Sequence, residues 1–96
     1  MKDFVESYLE TVTENPRAAF ARLTPGYQRA SGGFAGYSGF WSTIDKAKAD
    51  DIQADPDGLV VSYLVEYERT DGSEVEERVT LRLERTEDGY LIAGQG

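Results

Sequence analysis

In the second half of the chain, apolar side chains recur at every second position, which is the period of a β-strand. The clearest run lies between Leu59 and Arg69, where one face would carry Leu59, Val61, Tyr63, Val65 and Tyr67. Asp71-Gly72 and Asp88-Gly89 follow as typical hairpin turns. The pattern therefore predicts four strands joined in sequence as an antiparallel meander, the last of them at residues 90–93.

The first predicted strand, which begins near residue 44, contains an irregularity. Its alternation, with Ala47 and Ala49 on one face, slips by one position at Asp50-Asp51 and resumes at Ile52. A slip of one residue in an alternating strand is typical of a β-bulge. The segment Asp55–Gly58 then predicts a turn from its composition.

The third predicted strand has one apolar and one charged face. Its charged residues, with those that flank it, are Glu74, Glu76, Glu77, Arg78, Arg82, Glu84 and Arg85. We interpret them as cross-strand pairs on an exposed face, each contributing roughly 0.2–1 kcal/mol. Glu66 and Glu68 would reach an interior site only if their face of the second strand turned inward.

Before residue 44 the apolar period is that of a helix. One stripe comprises Phe4, Val5, Tyr8, Leu9 and Val12, and we expect Asp3 to cap this helix. A second, short helix is predicted to begin at Pro16 and to end at Thr24-Pro25-Gly26. Tyr27 and Ala30 are then expected in a loose turn.

The stretch ASGGFAGYSGFW at residues 30–41 combines glycines with aromatic residues. Its glycines match neither the dinucleotide-binding nor the P-loop pattern, and they do not lie between a strand and a long helix. Placed on a helix over 33–41, Phe34, Tyr37 and Trp41 project together, and Gly36 and Gly39 lie on the opposite side.

Two interpretations of this aromatic face remain open. In the first, the face fills the core, since each buried aromatic residue removes about 150–250 Å² of surface from water. In the second, part of the face lines a cavity. A glycine inside a helix costs about 1 kcal/mol relative to alanine. The two glycines therefore call for a reason, either close approach to another backbone or a mobile lid.

Two or three helices followed by an antiparallel meander indicate an α+β domain, with the helices packed on one face of a four-stranded sheet. Residues 1–96 are the length of one domain.

Composition excludes several classes of function. The chain has neither cysteine nor histidine, which removes disulfides, thiolate and imidazole catalysis and structural zinc. A net charge of −8 argues against nucleic-acid binding. The aspartates between residues 45 and 57 lack the spacing of an EF-hand calcium loop. We therefore expect no cofactor, no metal and no catalytic residue.

The chain has no run of about 18 apolar residues that could span a membrane, and its first residues lack the apolar core of a signal peptide. We interpret it as a cytoplasmic protein or as one domain excised from a longer chain.

Near the helices, Arg22 or Arg29 at the rim of a pocket could hold an anionic ligand.

The sequence resembles the nuclear-transport-factor-two-like (SnoaL-like) superfamily. The resemblance rests on YLETVTENPRAAFARLTPGYQRASGG, on GYSGFW and on the terminal hairpin with an aromatic residue after Asp-Gly. More narrowly, the sequence is similar to the extracytoplasmic C-terminal domains of actinobacterial membrane serine/threonine kinases. It implies a cone-shaped fold, a longer membrane-anchored parent protein and a location on the outer face of the cell membrane. Related isomerases and cyclases use pocket carboxylates or an Asp–His pair, and this chain has no histidine.

These observations together lead us to expect a non-catalytic sensor or interaction module. Its ligand, a small molecule or a cell-envelope component, would bind in the concave face of the sheet against Tyr27, Arg29, Phe34, Tyr37, Trp41 and Tyr63. Contact with a membrane would come only through an anchor in the parent chain. The alternatives are a small isomerase-like or cyclase-like enzyme, and a domain that forms homodimers through the mixed face of residues 59–64.

Overall fold

Four helices precede four strands in the computed structural model, which describes residues 1–95. The helices are α1 (Lys2–Glu14), α2 (Pro16–Phe20), α3 (Pro25–Ala30) and α4 (Gly33–Trp41). The strands are β1 (Ile44–Asp55), β2 (Val60–Arg69), β3 (Glu74–Thr86) and β4 (Gly89–Gln95). They form one antiparallel sheet in the order β1-β2-β3-β4, against which the helices pack. The domain is therefore α+β with a four-stranded meander, as the sequence predicts.

Helix α1 carries the predicted apolar stripe but begins earlier than expected. Met1 is its N-cap and no side chain caps it, so the prediction of Asp3 as the cap is wrong. Asp3 lies instead in the first turn, where its negative charge stabilises the helix by interacting with the positive end of the helix dipole. The buried residues of the helix, Val5, Tyr8, Leu9 and Val12, fall on the predicted face.

The segment expected to be a loose turn is a regular short helix, α3. The Oγ1 atom of Thr24 accepts a hydrogen bond from the backbone N–H of Tyr27 at 3.2 Å, and Pro25 occupies the first helical position. The same device begins α2, where Asn15 is the cap and Pro16 follows it. The prediction that Thr24-Pro25-Gly26 ends the second helix is wrong, because α2 ends at Phe20 and these residues begin α3. The described residues therefore form four helices rather than two or three.

The predicted bulge in β1 is present. Ala49 pairs with Val65 and Asp50 with Leu64, but the next paired residue is Gln53, opposite Ser62. Asp51 lies in this irregular segment with a φ of 49°, and its carboxylate accepts a hydrogen bond from Arg78 at 2.8 Å. The bulge therefore reaches across the neighbouring strand to β3.

The sheet has an inner face toward the helices and an outer face away from them. The inner face of β2 and β3 carries the buried residues Val61, Tyr63, Val65, Tyr67, Val79, Leu81 and Leu83. On the outer face the register places Glu66 opposite Glu76 and Glu68 opposite Glu74. The expectation of opposite-charge pairs between these strands is therefore wrong at both positions, because the register joins like charges.

The junction of α2 and α3 is tied to the last strand. The backbone N–H of Thr24 donates to the carbonyl of Ile92 at 2.9 Å, and the N–H of Ile92 donates to the carbonyl of Arg22 at 2.8 Å. Leu23, which lies between them in a parallel bridge with Ile92, is almost fully buried. This contact closes the core between the helices and β4.

Within residues 1–95, no helix is both long and apolar enough to cross a membrane.

Candidate functional site

A cavity of about 270 Å³ lies between the helices and the inner face of the sheet. Five tyrosines line it, together with Trp41 and Phe40: Tyr8, Tyr27, Tyr37, Tyr63 and Tyr67. Aliphatic side chains from β3 and β4 complete the apolar part of the wall, and Ser31 and Gln95 add polar groups. The aromatic face of α4 therefore contributes to the core and to the wall of a cavity at the same time.

The structure brings four of the six predicted site residues together. Tyr27, Tyr37, Trp41 and Tyr63 lie on the cavity wall. That any of them binds a ligand stays a prediction.

Phe34 and Arg29 lie outside the cavity wall. Phe34, in the first turn of α4, packs edge-to-face on Phe20 with ring centroids 5.4 Å apart. Its ring lies 4.3 Å from the guanidinium carbon of Arg17. Arg29 is exposed in the last turn of α3. The helical spacing that groups Phe34 with Tyr37 and Trp41 is real, but Phe34 lies at the beginning of α4, where it packs on Phe20 without reaching the cavity.

Two glycines position α4 over the sheet. Gly32, with a φ of 90°, adopts the left-handed conformation that lets the chain turn from α3 directly into α4. A Cβ atom at Gly36 would lie 2.7 Å from the carbonyl oxygen of Ser31, so α4 approaches the end of α3 too closely for any side chain there. Close backbone approach is one of the two predicted reasons for a glycine at position 36. At Gly39 an added Cβ would meet nothing within 4 Å.

Three rings near the cavity are mutually almost perpendicular. The ring of Trp41 lies 5.1 Å from that of Phe40 at 87° and 5.8 Å from that of Tyr67 at 74°. Phe40 and Tyr67 are 6.0 Å apart at 81°. Phe40 is half exposed, whereas Trp41 and Tyr67 are buried. Edge-to-face contacts of this kind hold the rings in fixed orientations.

The hydroxyls of Tyr8 and Tyr37 form a buried hydrogen bond of 2.5 Å. Burial and the neighbouring Tyr37 raise the pKa of Tyr8 far above its usual range. Burial raises the pKa of Tyr37 to about 12, although its hydrogen bond with Tyr8 acts in the opposite direction. Both side chains are therefore neutral hydroxyls at physiological pH.

The remaining tyrosines of the wall are also neutral. Burial, reinforced by the nearby Tyr67, raises the pKa of Tyr63. Burial and the negative charge of Glu77 raise the pKa of Tyr67 to about 12. Burial raises the pKa of Tyr27 as well, against a smaller opposing influence of Arg82. The wall thus offers neutral hydroxyl groups beside apolar rings.

Glu77 is the functional candidate that the sequence reasoning missed. The prediction that Glu77 belongs to the exposed charged face of the third strand is wrong. Glu77 pairs with Val65 on the inner face of the sheet and lines the cavity. Its side chain is exposed to solvent. The signal is present in the sequence: position 77 has the same parity as Val75 and Val79, so the pleat places it on their face. Glu66 and Glu68 lie on the opposite face and do not reach the cavity.

The arginines expected at the rim do not line the cavity. The guanidinium of Arg22 donates a hydrogen bond to the hydroxyl of Ser7 at 3.1 Å, and Arg29 is exposed. Among the described residues, the wall contains neither lysine nor arginine. The structure therefore gives no support to an anion held by these side chains.

A second, larger recess of about 550 Å³ lies between α1 and the bulged part of β1. Charged side chains of both signs line much of it, including Lys2, Glu6, Lys48 and Asp50. It has no aromatic residue in its wall. Its mixed charges and open form make it a weaker candidate for a specific small molecule than the aromatic cavity.

The aspartates between residues 45 and 57 serve local structure. One carboxylate oxygen of Asp55 accepts hydrogen bonds from the backbone N–H groups of Asp57 and Gly58, at 3.2 Å and 3.1 Å. Asp51 pairs with Arg78, which holds the pKa of that carboxyl below its usual range. Within the described part of the chain, no three carboxylates come close enough to share a metal ion.

Comparison of this chain with protein-family models, with curated proteins and with solved structures finds no match.

Proposed function

We propose that this domain is a non-catalytic binding module that takes a small molecule into the aromatic cavity. The observation that carries the proposal is the wall itself, where five neutral tyrosines, Trp41 and the half-exposed Phe40 line a cavity of about 270 Å³. Ligand sites in proteins are typically apolar and aromatic cavities with a few polar groups that orient the ligand. The tyrosine hydroxyls and Gln95 would supply those polar groups.

The proposal extends to the setting of the domain. The order of helices and bulged meander fits a cone-shaped nuclear-transport-factor-two-like arrangement, in which the concave side of the sheet holds the ligand. With the resemblance described above, this supports a sensor or interaction module in the extracytoplasmic part of a membrane signalling protein. A cell-envelope fragment is then the first class of ligand to test.

Direct binding is measurable because Trp41 is the only tryptophan in the chain and lies on the cavity wall. Titration with small metabolites and cell-envelope fragments should change its fluorescence in a saturable way. Unfolding temperature should rise in parallel, since a ligand at 100 times its dissociation constant adds about 2.7 kcal/mol of stability. No saturable change across a broad panel would contradict the proposal.

A matched pair of variants localises the binding. Tyr67→Phe removes one hydroxyl from the cavity wall, whereas Tyr90→Phe removes one from a tyrosine outside it that packs on Phe4. Binding in the cavity predicts weaker affinity for the first variant and unchanged affinity for the second. Equal loss in both would place the ligand elsewhere.

A second candidate function rests on Glu77, the carboxylate on the cavity wall. A carboxylate beside tyrosine hydroxyl donors is the equipment of a general base in an isomerase. Incubation of any bound ligand in D₂O, followed by NMR, tests this candidate. Deuterium exchange at an acidic C–H bond that disappears in Glu77→Gln would favour catalysis, and absence of exchange favours binding alone.

A further inference from the structure

The chemistry of the cavity wall indicates which class of molecule it accepts. We infer that the cavity selects a small organic cation, such as a quaternary ammonium or a protonated amine, over neutral or anionic molecules of the same shape. The inference deepens the proposed function and rests on it. Three features carry it: the aromatic faces, the sign of the charged groups and the size of the cavity.

The aromatic part of the wall suits a cation. The face of an aromatic ring carries partial negative charge, and a cation over it is attracted, most strongly by tryptophan. Trp41, Tyr67 and Phe40 stand almost perpendicular to one another. All three line the cavity together with four further tyrosines, so a bound group meets several aromatic rings, as in the aromatic cages that hold quaternary ammonium groups.

The charge of the wall has one sign. Glu77 supplies a carboxylate, and no lysine or arginine lines the cavity within the described residues. Arg82 belongs to the outer face, where its guanidinium lies over Gly94. Arg22 is directed to Ser7 on α1. A net charge of −8 adds a long-range attraction for cations. An anion would meet Glu77 on the wall, while Arg82 and Arg22 act on Tyr27 and Tyr37 only from outside it.

The size of the cavity limits the ligand. About 270 Å³ lies just below the range of roughly 300–1,000 Å³ that is usual for drug-sized molecules. A compact head group such as trimethylammonium suits this volume, and a bulky ring system does not. Neutral tyrosine hydroxyls remain available for a polar substituent of the ligand.

Choline and its neutral carbon isostere 3,3-dimethylbutan-1-ol provide a test, because they share shape and hydroxyl group and differ in charge. Each is titrated into the purified domain at constant ionic strength, with Trp41 fluorescence as the readout. Choline should bind about tenfold more tightly than the isostere, the ratio expected from one or two cation–aromatic contacts. Acetate and other small anions should not compete.

Two neighbouring glutamates give the matched variants. Glu77→Gln and Glu76→Gln each remove one negative charge from β3, but only Glu77 lines the cavity. We expect Glu77→Gln to weaken choline binding about threefold to tenfold and to leave the isostere unaffected. Glu76→Gln should leave both affinities close to those of the unmodified protein.

The outcomes separate the inference from the proposed function. Equal or tighter binding of the isostere would overturn the inference and leave the binding module intact. The same holds if choline and tetramethylammonium fail while a neutral or anionic molecule of the wider panel binds. Equal effects of the two glutamine variants would also overturn it, since the charge at the wall would then have no special role. If nothing binds at all, both proposals fail.

Discussion

Valine and tyrosine alternate along the inner face of β2, and their surroundings differ although both are buried. Val61 and Val65 are 0% exposed, whereas Tyr63 and Tyr67 are 3% and 7% exposed. Neither valine lines the aromatic cavity or the recess beside α1, whereas both tyrosines line the aromatic cavity. Branched aliphatic side chains pack to the density of an organic crystal, while a tyrosine carries a hydroxyl that needs a partner or water. The cavity therefore borders the tyrosines and not the valines, although both residue types are buried along this face of β2.

Alkaline pH should have the largest effect on the free energy of unfolding. It ionises the tyrosines in the aromatic part of the core and leaves the aliphatic part unchanged. The pKa values of Tyr37 and Tyr67 are about 12 in the folded domain, against 10.0 for an unperturbed tyrosine. Between these values the unfolded chain loses protons that the folded domain keeps, so stability falls as pH rises. Below pH 10 this contribution is fully present.

The measurement is the urea midpoint at pH 8 and at pH 11, with tyrosinate absorbance followed in parallel. We expect a clearly lower midpoint at pH 11 and cooperative unfolding as the pH approaches 12. The Tyr67→Phe variant should lose less between the two pH values than the unmodified protein. Equal midpoints at pH 8 and pH 11 would contradict the raised pKa values, since they would show that the tyrosines ionise as readily in the folded domain as in the unfolded chain.

Substitutions on β2 test the comparison residue by residue. Val65→Ala should destabilise the domain by about 2–3 kcal/mol, since it removes fully buried methyl groups and leaves a cavity. Tyr63→Phe, on the same face of the same strand, should cost less than about 1 kcal/mol because its hydroxyl borders a space that already exists. Urea denaturation gives both values. A larger cost for Tyr63→Phe would mean that its hydroxyl is a structural partner.

Two glycines of α4 should respond in opposite directions. Gly36→Ala places a Cβ atom 2.7 Å from the carbonyl oxygen of Ser31, the C-cap of α3, so we expect a loss of about 1–3 kcal/mol. Gly39→Ala meets nothing within 4 Å and should stabilise the helix by about 0.5–1 kcal/mol. Thermal denaturation of the pair is sufficient. Destabilisation by both variants would indicate that α4 tolerates no side chain on this side.

Most of the fold could be predicted because periodicity reports which residues are buried. The stripe of α1, the bulge at Asp50-Asp51 and the hairpins at Asp71-Gly72 and Asp88-Gly89 all have a local cause in the sequence. The error at α3 occurred where two signals overlap. Thr24-Pro25-Gly26 has the composition of a helix stop but begins α3, so composition alone does not separate a stop from a start.

The site was less predictable than the fold, for a geometric reason. Helical spacing places Phe34, Tyr37 and Trp41 on one side of α4, but it does not say which neighbour each residue meets. Phe34 and Tyr37 both pack on Phe20 of α2, but of these two only Tyr37 reaches the cavity, where it lies beside Trp41. Glu77 could have been assigned from strand parity. The absence of a lysine or arginine from the described cavity wall depends on packing between distant elements, which a single sequence does not report.

The contact between residues 22–24 and Ile92 has a consequence for how the domain is made. Its two backbone hydrogen bonds join segments almost 70 positions apart in the chain, whereas each hairpin joins strands that follow one another. Closing so long a loop is entropically costly and slows folding. During synthesis the helices and the first three strands therefore emerge before their last partner exists. Until β4 has been translated, Leu23 lacks its bridge partner and the cavity lacks the part of its wall that Ile92 and Gln95 supply.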